Sequence, residues 1–267
     1  MFMKKLYFPL MVVVLFSACQ NNTTTKTDSS TAVAVSPAVA TSHNALTEAE
    51  QKEGYQLLFD GKSFAGWRNF RKQTIGKDWI VDTAEQAMYL DVKKLQDGKF
   101  YAEGGDIMTD KPYENYELQL EWKIDTCGNS GIIYCVVEND KNEFVWQTGP
   151  EMQVLDNNCH PDAKIIKHRA GDLYDMVSCA QETVKPALTW NKAKLVVNKG
   201  KVEHWLNDSK VVEYDMNAAD WQKMIASSKF KDMPNFGKSA SGHIALQDHG
   251  NKVWYRNLKI KEIKAVQ

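Results

Sequence analysis

The chain has 267 residues and carries 33 basic against 34 acidic side chains, a formal net charge of −1 with no basic block. Nothing in that balance calls for nucleic acid, which is excluded as an expected partner. Aromatic residues make up 10% of the chain, ample for a core, and its folded part suits one large all-β domain or two small ones.

The N-terminus reads MFMKKLYFPLMVVVLFSAC: Lys4 and Lys5, an apolar run from Leu6 to Phe16, then Ser17, Ala18 and Cys19. A basic start, a short apolar core and small residues are the parts of a secretory leader. The run is too short for a comfortable permanent bilayer span. It resembles a bacterial lipoprotein signal over residues 1–19, which implies lipidation at Cys19, a cell-envelope location and contact with membrane through the lipid alone. Plain secretion with a free Cys19 is the competing reading. Residues 20–45, rich in Thr, Ser and Ala and without aromatics, read as a flexible tether.

The folded domain is expected over residues 46–267. Thr47 and Glu50 form a capping-box pattern for one short helix that stops at Gly54. Strand signals dominate afterwards. YELQLEWKI (116–124) alternates almost perfectly, with Leu118, Leu120, Trp122 and Ile124 on one face. Further strands are expected at YQLLF, DWIV, AMYLDV, SGIIYCVV, PEMQVL, KAKLVVN, KVEHWLN, SKVVEYD, GHIALQD and VWYRNLKIKEI. Hairpin turns are expected at Lys199-Gly200 and Asn207-Asp208. Only Asn217 to Phe230 looks helical, as an insertion. Many short strands without βαβ alternation predict an all-β sandwich or barrel, here taken as a monomer.

Setting Cys19 aside leaves Cys127, Cys135, Cys159 and Cys179. Export permits disulfides, and four cysteines allow three pairings that sequence does not rank. Cys159 with Cys179 is mildly preferred here; four free buried thiols is the alternative.

Several motifs in series resemble one family: LLFDGKSFAGW, NSGIIY, EMQVLDN followed by CH, HRAGDLYD, FKDMPNFGKSASGHIALQDHG and VWYRNLKIKEI. Together they look like the 3-keto-disaccharide hydrolase family, from about Gly54 to Ile263. The resemblance implies a concanavalin-like jelly-roll sandwich and cleavage of glycosides whose glucose unit is oxidised at C3. More weakly, EMQVLD resembles the E-x-D-x-x-E strand of laminarinase-type glycoside hydrolases, with Glu151 at the nucleophile, Gln153 at the middle Asp and Asp156 at the acid. A retaining glycosidase needs two carboxyl groups roughly 5–5.5 Å apart, one ionised and one protonated. Gln153 cannot supply the charge that separates their pKa values, which argues against double displacement.

A 3-keto sugar permits another route. Its carbonyl acidifies the C2 proton, and the enolate then expels the C1 aglycone before water adds back. That route asks for a base, an electrophile and an acid. Glu151, Asp156 and His160 are the expected catalytic residues, with Gln153, Tyr134, Tyr174, Gln247 and His249 shaping the sugar site. A divalent metal ion is a candidate cofactor, with Glu151, His160 and His249 as its candidate ligands. Simpler readings stand beside each. Glu151 fits a solvated strand position, Asp156-Asn157-Asn158 is good turn chemistry, and His160 before Pro161 suits a turn. The pair His168-Arg169 suits a plain basic loop, and Tyr174 suits a core edge as well as a sugar platform. The rival function is a non-catalytic carbohydrate-binding module on the same scaffold.

Overall fold

The computed structural model describes residues 43–94 and 100–264, which fall in one compact unit. The expected leader, its Cys19 and the tether as far as residue 42 lie outside the described residues. No described helix is long and apolar enough to cross a membrane. The folded part begins slightly earlier than residue 46. Asn44, assigned to the tether by composition, is buried; its backbone N–H donates to Asn257 Oδ1 and its amide donates to the Gln86 carbonyl.

Thr47 caps the helix Glu48–Glu53 in a reciprocal box with Glu50, and Gly54 ends it at φ 89°, a left-handed conformation that glycine adopts without strain. Beyond it the described residues make two large antiparallel sheets and a two-stranded ribbon of Lys93–Lys94 with Phe100–Tyr101. The larger runs Ser209–Asp215, Lys201–Leu206, Asn191–Asn198, Tyr116–Ile124, Val253–Glu262, Ala87–Leu90, Trp79–Asp82, with Gln56–Leu57 added beside Val253–Glu262. The smaller runs Glu151–Leu155, Asn129–Val136, His243–Leu246, Ile107–Thr109, Trp67–Asn69. Both expected hairpin turns are present: Lys199-Gly200 and Asn207-Asp208 each place two consecutive residues at positive φ, the geometry that matches strand twist.

The sandwich core lies between the sheets. Leu118, Leu120, Trp122 and Ile124 from the large sheet join Ile132, Tyr134, Met152, Val154, Ile244 and Leu246 from the small one. Alternation therefore decides the inner face, as the 116–124 pattern predicts. A second, smaller apolar cluster of Phe70, Met108, Ile133, Val136, Val145 and Ala245 sits on the opposite face of the small sheet. That face is overlaid by loops, so Glu151–Leu155 is buried at every position, although it alternates like a half-exposed strand.

Two local expectations are corrected, and two strands were not foreseen from the sequence. The helical insertion is Ala219–Ala226, shorter than 217–230, and the residues after it form turns. Trp67–Asn69 and Ile107–Thr109 are strands of three residues, too short for a readable period. The disulfide joins Cys127 to Cys159, not Cys159 to Cys179. After Leu155 the chain folds back over the 125–128 turn, with Asp156 N–H donating to the Gly128 carbonyl, and this carries Cys159 to Cys127. Cys135 and Cys179 are free, and the Cys179 thiol packs against Ala170 and Gly171 instead.

Candidate active site

Gly131 sits near the middle of the small sheet, directly across from Gln153. A Cβ placed on it would lie 2.1 Å from Glu151 Oε1. The missing side chain is therefore the space the Glu151 carboxyl occupies, and a glycine inside a strand marks such a close approach. Around that point Asn129, Glu151, Gln153 and Gln247 line a cavity of about 390 Å³, large enough for a sugar unit. Trp146, Tyr174, Lys229, Met233 and His249 complete the lining.

Glu151 is 5% exposed, and no described residue donates a hydrogen bond to its carboxyl. Burial pushes its pKa up to about 8; Lys229 pulls against this, while Asp106 and Asp162 add to it. Desolvation disfavours the charged form, so Glu151 holds its proton far above the usual carboxylate range. Lys229 is lowered by burial and pulled back up by Glu151, Asp175 and Asp162. Its Nζ lies 3.9 Å from the Tyr174 ring centroid, a cation–π distance. Asp175 fixes this corner, accepting from the Lys229 backbone N–H and pairing with His168 Nε2 at 2.9 Å. The His168 ring packs on Tyr174 with centroids 4.2 Å apart, so His168 positions Tyr174 from behind.

Three acceptors on the lining carry no partner: Asn129 Oδ1, Gln153 Oε1 and Gln247 Oε1. The Gln153 amide nitrogen donates to the His168 carbonyl, which fixes the side chain with its oxygen free. Leaving a buried acceptor unsatisfied costs about 1–3 kcal/mol. Hydroxyl donors of a bound sugar meet that need.

The other expected residues are placed as follows. Asp156 is buried in its turn, accepting from Cys127 N–H and Asn158 N–H; its carboxyl organises the disulfide-bonded loop and is not part of the cavity lining. The His160 Nδ1 accepts from Asp162 N–H, capping the short helix Pro161–Lys164, so the turn reading describes one of its edges. Its ring stands edge-on to His249 with centroids 6.2 Å apart, and burial lowers its pKa. Tyr134 is corrected outright. It points into the sandwich core, hydrogen-bonded to His204 and Tyr214, because strand parity sends Ile132 and Tyr134 inward while Gly131 and Ile133 face outward. For a metal, Glu151, His160 and His249 do not bring three ligand atoms within 4.8 Å of one another. The described group that does is Cys127, Asp156 and Cys159, where the disulfide consumes both thiols.

Sequence reasoning missed Asn129, Gly131, Trp146, Lys229 and Met233 as site residues. It also missed Asp106, whose carboxyl is pushed up to about 7 by burial and accepts from Asp248 N–H next to His249. The one available signal was Gly131, a glycine inside the NSGIIY strand pattern.

A jelly-roll sandwich that carries a sugar-sized cavity over a buried, high-pKa carboxyl defines a carbohydrate-active enzyme of the glycoside hydrolase and lyase type. A family model described as a 3-keto-alpha-glucoside-1,2-lyase-like domain matches residues 54–261. The chain is 37% identical over 231 residues to a 3-keto-disaccharide hydrolase of Bacteroides thetaiotaomicron, covering 78% of each protein. It belongs to the 3-keto-disaccharide hydrolase family. Among solved structures, it resembles a candidate glycosyl hydrolase from Parabacteroides distasonis with TM-score 0.74 and 33% identity, over 84% of this chain and 100% of the other. A second such structure from the same organism aligns with TM-score 0.50 and 25% identity, over 74% and 99%.

Proposed function

We propose that the protein cleaves 3-keto glycosides, including 3-keto disaccharides, by elimination and rehydration. The observation that carries this reading is the Glu151 carboxyl, buried on the cavity floor with a pKa of about 8. A carboxylate that regains its proton so readily is a strong base once ionised, suited to the C2–H beside a ketone. Glu151 takes the C2 proton, and the electron pair moves to the C3 carbonyl oxygen as an enolate. The Lys229 ammonium at the cavity rim stabilises that negative charge. The enolate re-forms the ketone while the C1–O bond breaks, leaving a C1=C2 double bond, and His249 donates a proton to the departing oxygen. Water then adds its hydroxyl to C1 and returns its proton to His249, C2 regains a proton from Glu151, and the net reaction is hydrolysis. Asn129, Gln153 and Gln247 accept hydrogen bonds from the ring hydroxyls.

The leader and Cys19 support a lipid-anchored site of action at the cell envelope. Transfer of a Cys19→Ala variant to the soluble fraction tests that part.

The decisive assay follows turnover of a synthetic 3-keto disaccharide by purified protein across pH. Since the base must be ionised, kcat/KM rises with pH through about 8. A falling limb there assigns Glu151 as an acid instead, and no turnover at any pH rejects the reading.

A further inference from the structure

The aromatic groups at the mouth of the cavity are not used by the chemistry above. Trp146 lines the cavity, and Phe144 stacks on it with ring centroids 5.2 Å apart and planes 10° from parallel. Phe144 is 45% exposed, so the stacked pair carries the apolar cavity wall outward to solvent as a shelf that ends in an accessible ring. The shelf is built, not loose. Gln147 Oε1 accepts the backbone N–H groups of both Glu143 and Phe144, at 2.6 and 3.0 Å. Val145, between the two aromatics in sequence, is fully buried in the outer apolar cluster, against which Trp146 also packs. Thr148 Oγ1 accepts from Val137 N–H and ties the end of the segment to the neighbouring strand. Holding a large aromatic side chain out in water on a rigid turn favours nothing in folding, whereas beside a sugar cavity it offers a π-face.

We propose that the Trp146–Phe144 shelf is the aglycone subsite. It selects leaving groups that present a flat apolar surface, either the C–H face of a second pyranose or an aromatic ring. This inference rests on the keto-glycoside reading above. The ketone-bearing unit sits over Glu151, its C1 substituent points toward the mouth, and the shelf receives it. A small aglycone such as methyl reaches Trp146 at most and gains nothing from Phe144.

The test uses full-length protein and three 3-keto glucosides, with methyl, glucosyl and phenyl aglycones. Phe144→Ala is expected to lower kcat/KM for the glucosyl and phenyl substrates by roughly 3- to 10-fold, mainly through KM. The methyl glycoside is expected to change by less than about 2-fold on the same basis. Phe144→Tyr restores the preference and Phe144→Leu does so only in part, which separates a flat ring from bulk. An unchanged thermal midpoint confirms that the exposed ring has not unfolded its turn. An equal loss on all three substrates, or none on any, overturns the subsite while leaving the reaction intact. Absence of turnover for all three with wild-type protein overturns the reaction and the subsite together.

Discussion

Two of the buried clusters of polar side chains among the described residues differ in how their hydrogen bonds close. In the core, His204 lies with Nδ1 on the Gly171 carbonyl and Nε2 on Tyr134, and Tyr134 continues to Tyr214. Nδ1 faces an acceptor and so carries the proton; Nε2 accepts from Tyr134, whose oxygen accepts from Tyr214. The chain is complete, and burial holds the His204 pKa down to about 4, which keeps the ring neutral. On the cavity floor Glu151, Asn129, Gln153 and Gln247 are also shielded from water, yet their acceptors have no protein donor. Other described partnerless atoms include Tyr116 Oη and Trp122 Nε1, polar tips of core aromatics. A closed network stabilises one conformation, whereas a network left open beside a cavity is kept for something that enters it.

The sharpest way to break this comparison is Glu151→Gln. Turnover of a 3-keto glycoside falls by about 10²–10⁴, while the fold persists. Stability supplies an independent sign. The folded pKa of Glu151 is raised from 4.5 to about 8, so the folded state holds the proton more tightly than the unfolded chain. That contribution is fully present below pH 4.5 and is lost as pH rises through about 8. Glutamine does not titrate, so the variant matches wild type in acid and gains on it by a few kcal/mol, as an order of magnitude, near pH 8–9. Thermal unfolding from pH 4.5 to 9 checks this; a constant offset would place Glu151 in ordinary solvent.

Gly131→Ala comes next. The new methyl group displaces the Glu151 carboxyl, and a misplacement of about 1 Å costs up to about 10²-fold in rate. The expected signature is a fall in kcat with an unfolding midpoint close to wild type. Replacing Cys127 and Cys159 by Ser releases the loop of Asp156 and His160 and costs about 2–4 kcal/mol in denaturant unfolding. Tyr134→Phe is the smallest change and the cleanest contrast. It leaves His204 and Tyr214 each short of a partner in the core and costs about 1–3 kcal/mol. Activity per folded molecule stays at the wild-type level, and a selective rise in KM would instead return Tyr134 to the sugar site.

Much of the sandwich was legible because its strands obey a two-residue period with one face inward. YELQLEWKI and SKVVEYD are strands over the expected residues, and the Thr47–Glu50 box and both hairpin turns are local chemistry. Of the site, Glu151, Gln153, Tyr174, Gln247 and His249 were named in advance and share the cavity lining. Tyr134 was named for the sugar site but lies on the inward parity of the strand in which Gly131 faces out, and one step of parity exchanges the core for the cavity.

The sequence by itself determined the elements whose cause lies within a few residues: alternation, caps, turns and the chain of family motifs. Tertiary structure alone decided which outer face the loops would cover, and therefore that Glu151 would lose its water and hold its proton to about pH 8. It also brought Cys127 to Cys159, and Trp146 and Lys229 to one cavity, from stretches far apart in the chain. Desolvation and convergence depend on which distant segments pack together, and no local period in the sequence encodes that.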